Sequence, residues 1–348
     1  MNSNDLTEKY YGYLEQFKEL CFALIEGGQA YQAVLLSHEL YRFLYPVEPY
    51  AGFKHHDPVP FMVDHAAKLN ALARTLLETV HGYESDPARQ SETTQSRLEI
   101  ATSDLYSGLW AQFDKETLLV EARKLLERRL PSDLIETHIK GKRVLDMGCG
   151  SGRYSIALAA LGAAEIVAID YQAKAYARAA EHAKSLALPL SFQEADILEL
   201  PFADKSFDFV FSNGVLHHTR DWKTALSEYG RVMKRSGYLY LYASGGFFWT
   251  TRAVLREVFA RIPQAYAQSV LDMIGMPPNR FIFMDTWYVP VEGHLKRAEL
   301  EGLMTELGLS FVQVPTQIPY DPGYGLDLGL PGAEAMWGEG EHRYLMER

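Results

Sequence analysis

Cysteine is scarce: Cys21 and Cys149 are the only two in 348 residues. Two thiols are too few for a disulfide framework, and their scarcity favours a reducing, cytoplasmic setting. Positive charge is also in short supply. Lys and Arg number 34 against 45 Asp and Glu, a formal net charge of −11, which argues against a polyanionic partner such as nucleic acid. The basic cluster "KGKR" at 140–143 reads as a solvated strand entry. No long hydrophobic run is present. The most apolar stretch, 155–169, is broken by Gly162 and Glu165, so no membrane-spanning helix is expected. The polar start, "MNSNDLTEKYYGYLEQF", is unlike a secretory leader. There is no internal repeat and no low-complexity tract.

What is present falls into two textures. Residues 5–82 carry helical periodicity: Leu14, Phe17, Leu20, Cys21 and Leu24 recur at spacings of three and four, an amphipathic face. Gly27-Gly28 stops this helix, a second runs to Pro46, and a third covers about 60–82. The polar segment "ESDPARQSETTQ" at 84–95 reads as a linker. From about residue 120, short apolar runs ("RVLDMG", "EIVAID", "LSFQEAD", "FDFVFSNG", "GYLYLYA") alternate with helical patterns. A late helix at 296–308 precedes "SFVQVP" and the C-terminal "HRYLMER". Such alternation predicts right-handed crossovers and a mostly parallel, doubly wound α/β sheet. The expected division is an N-terminal helical domain over 1–95 and a sheet domain over 96–348, with a cap insertion at about 245–292.

The loop "VLDMGCGSGRYS" at 144–155 places Gly148, Gly150 and Gly152 between the first strand and its helix. Glycines there let a ligand approach the backbone and the helix amides. A dinucleotide fingerprint needs glycine at 153, where this chain has Arg153. Asp146 would repel a pyrophosphate and suits a ligand bearing an ammonium group. That combination points to S-adenosylmethionine.

Four segments together resemble the class I S-adenosylmethionine-dependent methyltransferases of the small-molecule, type 11-like branch. "VLDMGCGSG" is similar to the first motif. Asp170, ending "IVAID" 24 residues after Asp146, matches the acid that holds the ribose hydroxyls, with Tyr171 beside it. "EADILELPF" supplies Asp196 and Ile197 for the adenine. "FDFVFSNGVLHH" followed by "EYGRVMKRSGYLYLY" resembles the signature of the fourth and fifth strands, with Asn213 beside the methionine moiety. The resemblance spans roughly 105–315 and departs at "KRSG", where a Lys-Pro-Gly-Gly turn is usual. It implies a Rossmann-like seven-stranded sheet in the order 3-2-1-4-5-7-6. It further implies S-adenosylmethionine as cofactor, with S-adenosylhomocysteine as product, and an aromatic lid from Tyr106 and Trp110.

The expected reaction is in-line methyl transfer to an O, N or S nucleophile of a small molecule, the acceptor atom being left open. His217 and His218, at the end of the fourth strand, are base candidates if it is a hydroxyl or a protonated amine, whereas a thioether or free amine needs only positioning; the alternative is that one or both histidines only cap the next helix. Residues 212–215 are Ser-Asn-Gly-Val rather than the Asn/Asp-Pro-Pro-aromatic motif of base amino-methylases, which favours a small-molecule acceptor. Phe247, Phe248, Trp249, Trp287 and Tyr288 in the insertion are expected to line the acceptor pocket or to form the cap's own core. His55, His56, Asp57, Asp64 and His65 match no ordered zinc spacing, so no metal is expected. The helical region is a candidate for a homo-oligomer contact. The competing reading is a non-catalytic scaffold that binds S-adenosylmethionine and docks a partner.

Overall fold

The computed structural model describes residues 3–42, 59–79, 132–246, 248–274, 293–312 and 338–348, with 124, 126, 130, 287 and 288. The chain divides into two compact units. One contains 1–93, 246–290 and 321–340; the other contains 94–245, 291–320 and 341–348.

In the first unit, α1 (Ser3–Glu26), α2 (Ala30–Arg42) and α3 (Val59–Thr79) lie at the start of the chain. The apolar stripe read from the sequence becomes a core face: Leu14, Phe17, Cys21 and Leu24 are all buried. Gly28 ends α1 at a φ of 78°, the left-handed region that glycine enters without steric cost.

The second unit begins with α4 (Ser132–His138). It continues through β1 (Arg143–Met147), α5 (Arg153–Ala160), β2 (Glu165–Asp170) and α6 (Ala173–Ser185). Then come β3 (Leu190–Glu194), β4 (Phe207–Asn213), α7 (Trp222–Val232) and β5 (Met233–Ser244). The insertion holds α8 (Trp249–Phe259) and α9 (Gln264–Met273). The chain closes with α10 (Arg297–Glu306), β6 (Ser310–Phe311) and β7 (Glu341–Glu347).

The sheet order is β3-β2-β1-β4-β5-β7-β6, as expected, and β7 runs antiparallel to β5 and β6. Side chains alternate between two apolar layers. Val144, Ile166, Phe209 and Phe211 pack on one face; Leu145, Val167, Val210 and Leu239 pack on the other. Helices therefore cover both faces, as a parallel sheet requires. The "KRSG" departure is not a simple turn. Pairing jumps from Phe207–Met233 to Phe209–Tyr238, so residues 234–237 bulge within β5. Arg348 ties the end of α7 down by donating to the carbonyls of Gly230 and Met233. Among the described residues no helix is long and apolar enough to cross a membrane.

The insertion packs with the N-terminal helices instead of forming a body of its own. Val254, Leu255, Val258 and Phe259 of α8 share one core with Tyr10, Phe17 and Leu24 of α1. Tyr10 Oη and Thr251 Oγ1 lie 2.8 Å apart inside that core. The N-terminal helices already pack on one another, through Val34 and Leu40 of α2 and Met62 and Ala66 of α3, and the apolar stripe of α8 completes that core. Deleting residues 1–93 is therefore expected to uncover α8 and leave a protein that binds a hydrophobic dye and aggregates. A monodisperse, dye-silent truncation in solution would contradict the shared core.

Candidate functional site

Four strands, β1 to β4, are parallel and in register, so their C-terminal ends release four loops along one edge of the sheet. The first is the glycine loop, with Gly148, Gly150 and Gly152 all at positive φ. Their surroundings differ. A Cβ on Gly148 would stand 2.6 Å from Cγ1 of Val215, and one on Gly152 2.6 Å from Cβ of Ala179. These two glycines serve close packing. A Cβ on Gly150 would meet nothing within 4 Å, so only the middle glycine borders open space.

Two carboxylates flank the loop. Asp146 is 2 % exposed and accepts a 2.5 Å hydrogen bond from Ser155 Oγ, in the first turn of α5. Burial lifts its carboxyl from an ordinary 3.8 to about 7, opposed by the Ser155 bond and helped by the nearby Asp170 charge. Asp170 Oδ2 accepts the Gly150 amide at 2.8 Å, and Oδ1 accepts the Gln172 amide at 3.4 Å. Burial raises its pKa as well, while those amides pull it back down. Tyr171 beside it is 71 % exposed. The site thus holds two desolvated acids and no facing cation among the hydrogen bonds and pKa influences on either acid, an arrangement that favours a positively charged ligand.

Asp196 follows β3 in a different state. Its Oδ1 accepts the Leu198 amide at 2.9 Å and its Oδ2 accepts Arg220 Nη2 at 2.8 Å. These two partners, the amide first, hold it below the usual carboxylate range. Ile197 is half-buried beside it. The loop is anchored from α7, where Glu228 accepts the Leu200 amide at 2.8 Å. Arg231 donates to the carbonyls of Leu200 and Phe202 at 3.0 and 2.7 Å. Ser155, Arg220, Glu228 and Arg231 were not singled out from the sequence. The i, i+3 Glu–Arg pair inside "SEYGRV" was the available signal.

Asn213 ends β4, and its Oδ1 is buried with no hydrogen-bond partner, a costly arrangement unless a ligand supplies a donor. The turn Leu216–His218 follows. His217 is buried and its Nδ1 accepts the Ser244 amide at 3.1 Å. That bond occupies the ring's lone pair and puts the neutral proton on Nε2. His218 is half-buried, its ring centroid 4.1 Å from that of His217. Neither histidine caps α7. Asp221 does, accepting the Thr224 amide at 3.1 Å.

The other expected residues divide. Tyr106, Trp110, Phe247, His55, His56 and Asp57 lie outside the described residues. Phe248 and Trp287 are 1 % and 2 % exposed in the core of the helical unit, with Trp287 stacked on Phe259 at 3.9 Å. They are core residues there rather than pocket walls. Phe248 accordingly tolerates a φ of 52°, since burial of its ring offsets the strain. Tyr288 donates to the Ile262 carbonyl at 2.9 Å, and Trp249 is half-buried with Arg256 over its ring at 5.7 Å. Asp64 pairs with Lys68 at 2.6 Å and His65 Nε2 lies 3.4 Å from the Glu39 carbonyl. Among the described residues no three His, Cys, Asp or Glu gather as metal ligands.

Comparison with known proteins agrees with this geometry. A family model described as a methyltransferase domain matches residues 145–241. An O-methyltransferase of Aspergillus nomiae is 27% identical over 50% of this chain and 76% of its own. The 27-O-demethylrifamycin SV methyltransferase of Amycolatopsis mediterranei is 33% identical over 40% of this chain and 50% of its own. The demethylmenaquinone methyltransferase of Staphylococcus aureus is 34% identical over 34% of this chain and 48% of its own. The chain thus spans about half the length of two of these three relatives.

Two outcomes test the geometry. Gly150→Ala should cost only the left-handed conformation, about 1–2 kcal/mol. Gly148→Ala and Gly152→Ala should add overpacking of about 1–3 kcal/mol, so urea midpoints should fall furthest for the outer two. For Asp146, the folded state holds a proton more tightly than the unfolded chain does. Its contribution is complete below about pH 4 and is lost as pH rises through about 7. Asp146→Asn should therefore flatten the decline in melting temperature between about pH 4 and 7. An unchanged slope would refute the assignment.

Proposed function

We propose that this protein, whose sheet unit is a class I S-adenosylmethionine-dependent methyltransferase domain, transfers a methyl group to a hydroxyl oxygen of a small molecule. The observation that carries the cofactor half is the open space at Gly150 between two desolvated acids. When bound, S-adenosylmethionine supplies a methyl group already activated by its positive sulfur.

The chain's own residues then bind, orient and move a proton. Asp170 takes the ribose hydroxyls, a carboxylate accepting two donors at once. Asp196, held ionised by Leu198 and Arg220, accepts from the adenine amine, with Ile197 against the ring and Tyr171 at its open side. Asp146 and the unpartnered Asn213 Oδ1 face the cationic end of the methionine moiety. These acceptors suit a ligand rich in donors and positive charge. They would repel a pyrophosphate.

An oxygen acceptor is supported by the names of the relatives, among them several O-methyltransferases. A hydroxyl oxygen that took this methyl group from the sulfur would have to give up its proton. His218 receives it, because the His217 lone pair is already engaged by Ser244. Base catalysis of this kind typically contributes 10²–10⁴-fold.

Asp170→Ala should weaken S-adenosylhomocysteine binding by about 2–4 kcal/mol in calorimetry, and Gly150→Ala should abolish it in a folded protein. Unchanged affinity in both would sink the cofactor placement. Turnover is read as S-adenosylhomocysteine released from S-adenosylmethionine with a panel of phenols and alcohols. His218→Ala should slow it by about 10²–10⁴ with cofactor affinity within a few-fold. A protein that binds the cofactor yet methylates nothing in the panel, or a fully active His218→Ala variant, would overturn the oxygen-acceptor reading.

A further inference from the structure

His217 has both its ring and its backbone committed to other segments. Its Nδ1 accepts the Ser244 amide at 3.1 Å, and its carbonyl accepts the Gly293 amide at 2.7 Å. Ser244 is the last residue of β5 and pairs with Glu341, the first of β7. The Ser244 carbonyl accepts the Leu295 amide at 2.9 Å. The Leu295 carbonyl in turn lies 2.7 Å from Nε2 of His342, which is 1 % exposed. Residues 217, 244, 293–295 and 341–342 are thereby joined in one hydrogen-bonded junction.

The segments at 244, 293–295 and 341–342 share a topological property. The chain leaves the sheet unit after Gly245, re-enters it at Val291 and re-enters again at Glu341. Each of these three segments is within a few residues of such a passage. Gly246 and Gly340, which flank two of them, are at φ of 93° and 74°, conformations that only glycine takes without strain.

We propose that His217 is a positioning residue: a neutral acceptor that clasps the turn carrying His218 to the ends of the chain segments passing between the two units. The physical case rests on what the alternatives would cost. Ser244 is 4 % exposed, so removing the imidazole takes the partner from a buried backbone donor, which is costly. Protonating Nδ1 would set one N–H against another across 3.1 Å. A histidine that cycled through its cationic form at every turnover would release the junction each time. His217 is thus the clasp, and the neighbouring His218 is left to handle protons. The division of labour rests on the methyl-transfer reading above, whereas the clasp itself does not.

Asparagine tests this directly, because its Oδ1 can occupy the place of Nδ1, whereas the longer glutamine reaches toward Nε2. Long-range nitrogen NMR should show His217 as the Nε2–H tautomer. Amide exchange at Ser244 and Gly293 should accelerate at least tenfold in His217→Ala and stay protected in His217→Asn. With the phenol and alcohol panel, His217→Ala should transfer methyl more slowly at unchanged S-adenosylhomocysteine affinity, and His217→Asn should recover most of the rate. Wild-type protection of Ser244 in the alanine variant would overturn the clasp. So would an asparagine variant that is protected but as slow as alanine, since that result assigns His217 the base role. If the alanine variant fails to fold, His217→Asn must still outperform His217→Gln in protection of Ser244, and equal protection refutes the proposal. A wild-type protein that binds no S-adenosylhomocysteine would sink the methyl-transfer reading and leave the exchange result standing.

Discussion

β1 has a parallel neighbour on each side: Met147 pairs with Ile169 of β2 and with Ser212 of β4. This double pairing aligns the ends of three strands to within a residue. It places Gly148, Asp170 and Asn213 on one edge although they are far apart in sequence. The Gly150 amide then reaches Asp170 at 2.8 Å, and Gly148 can lie against Val215 only because it has no side chain. A register slip of one residue at β1 would turn Asp146 to the opposite face. It would lose Ser155 there, and the loop could no longer close on the second carboxylate.

The carboxylates show how environment separates like groups. Asp146 and Asp170 are both pushed toward the neutral form by burial, whereas Asp196 is held ionised by an amide and a guanidinium. Two of the three are therefore poised to gain from a cation. The third already has one, supplied by Arg220 two residues beyond His218. Ligand charge, rather than ligand shape, is the property most directly written into this edge of the sheet.

How much of this was legible in the sequence depends on the range of the interaction. Strand identities could be read, because the apolar runs are local signals; the strand order came only with the resemblance to the class I methyltransferases. The three glycines could be read as a loop but not as two packing residues and one open one. That distinction depends on Val215, Ala179 and Phe192, which arrive from other elements. The tautomer of His217 was invisible for the same reason, since Ser244 lies 27 positions away. Phe248 and Trp287 could be read as pocket aromatics or as core, because hydrophobicity alone does not say which body a side chain completes. Only the shared core with α1 shows that they close the helical unit.

That shared core has a consequence for synthesis. α1, α2 and α3 leave the ribosome before the sheet strands, yet part of the core they build belongs to α8 and α9. All of β1 to β5 is made in between, on the order of ten seconds or more at ordinary translation rates. Throughout that interval the core around Phe17 and Leu24 lacks the residues that α8 and α9 contribute to it, while the sheet unit still lacks β7, the strand that pairs with both β5 and β6. Neither unit can finish before the other has been largely translated. Such a nascent chain should depend heavily on holding chaperones, and its first helices should be the region most open to proteolysis until residue 273 has emerged.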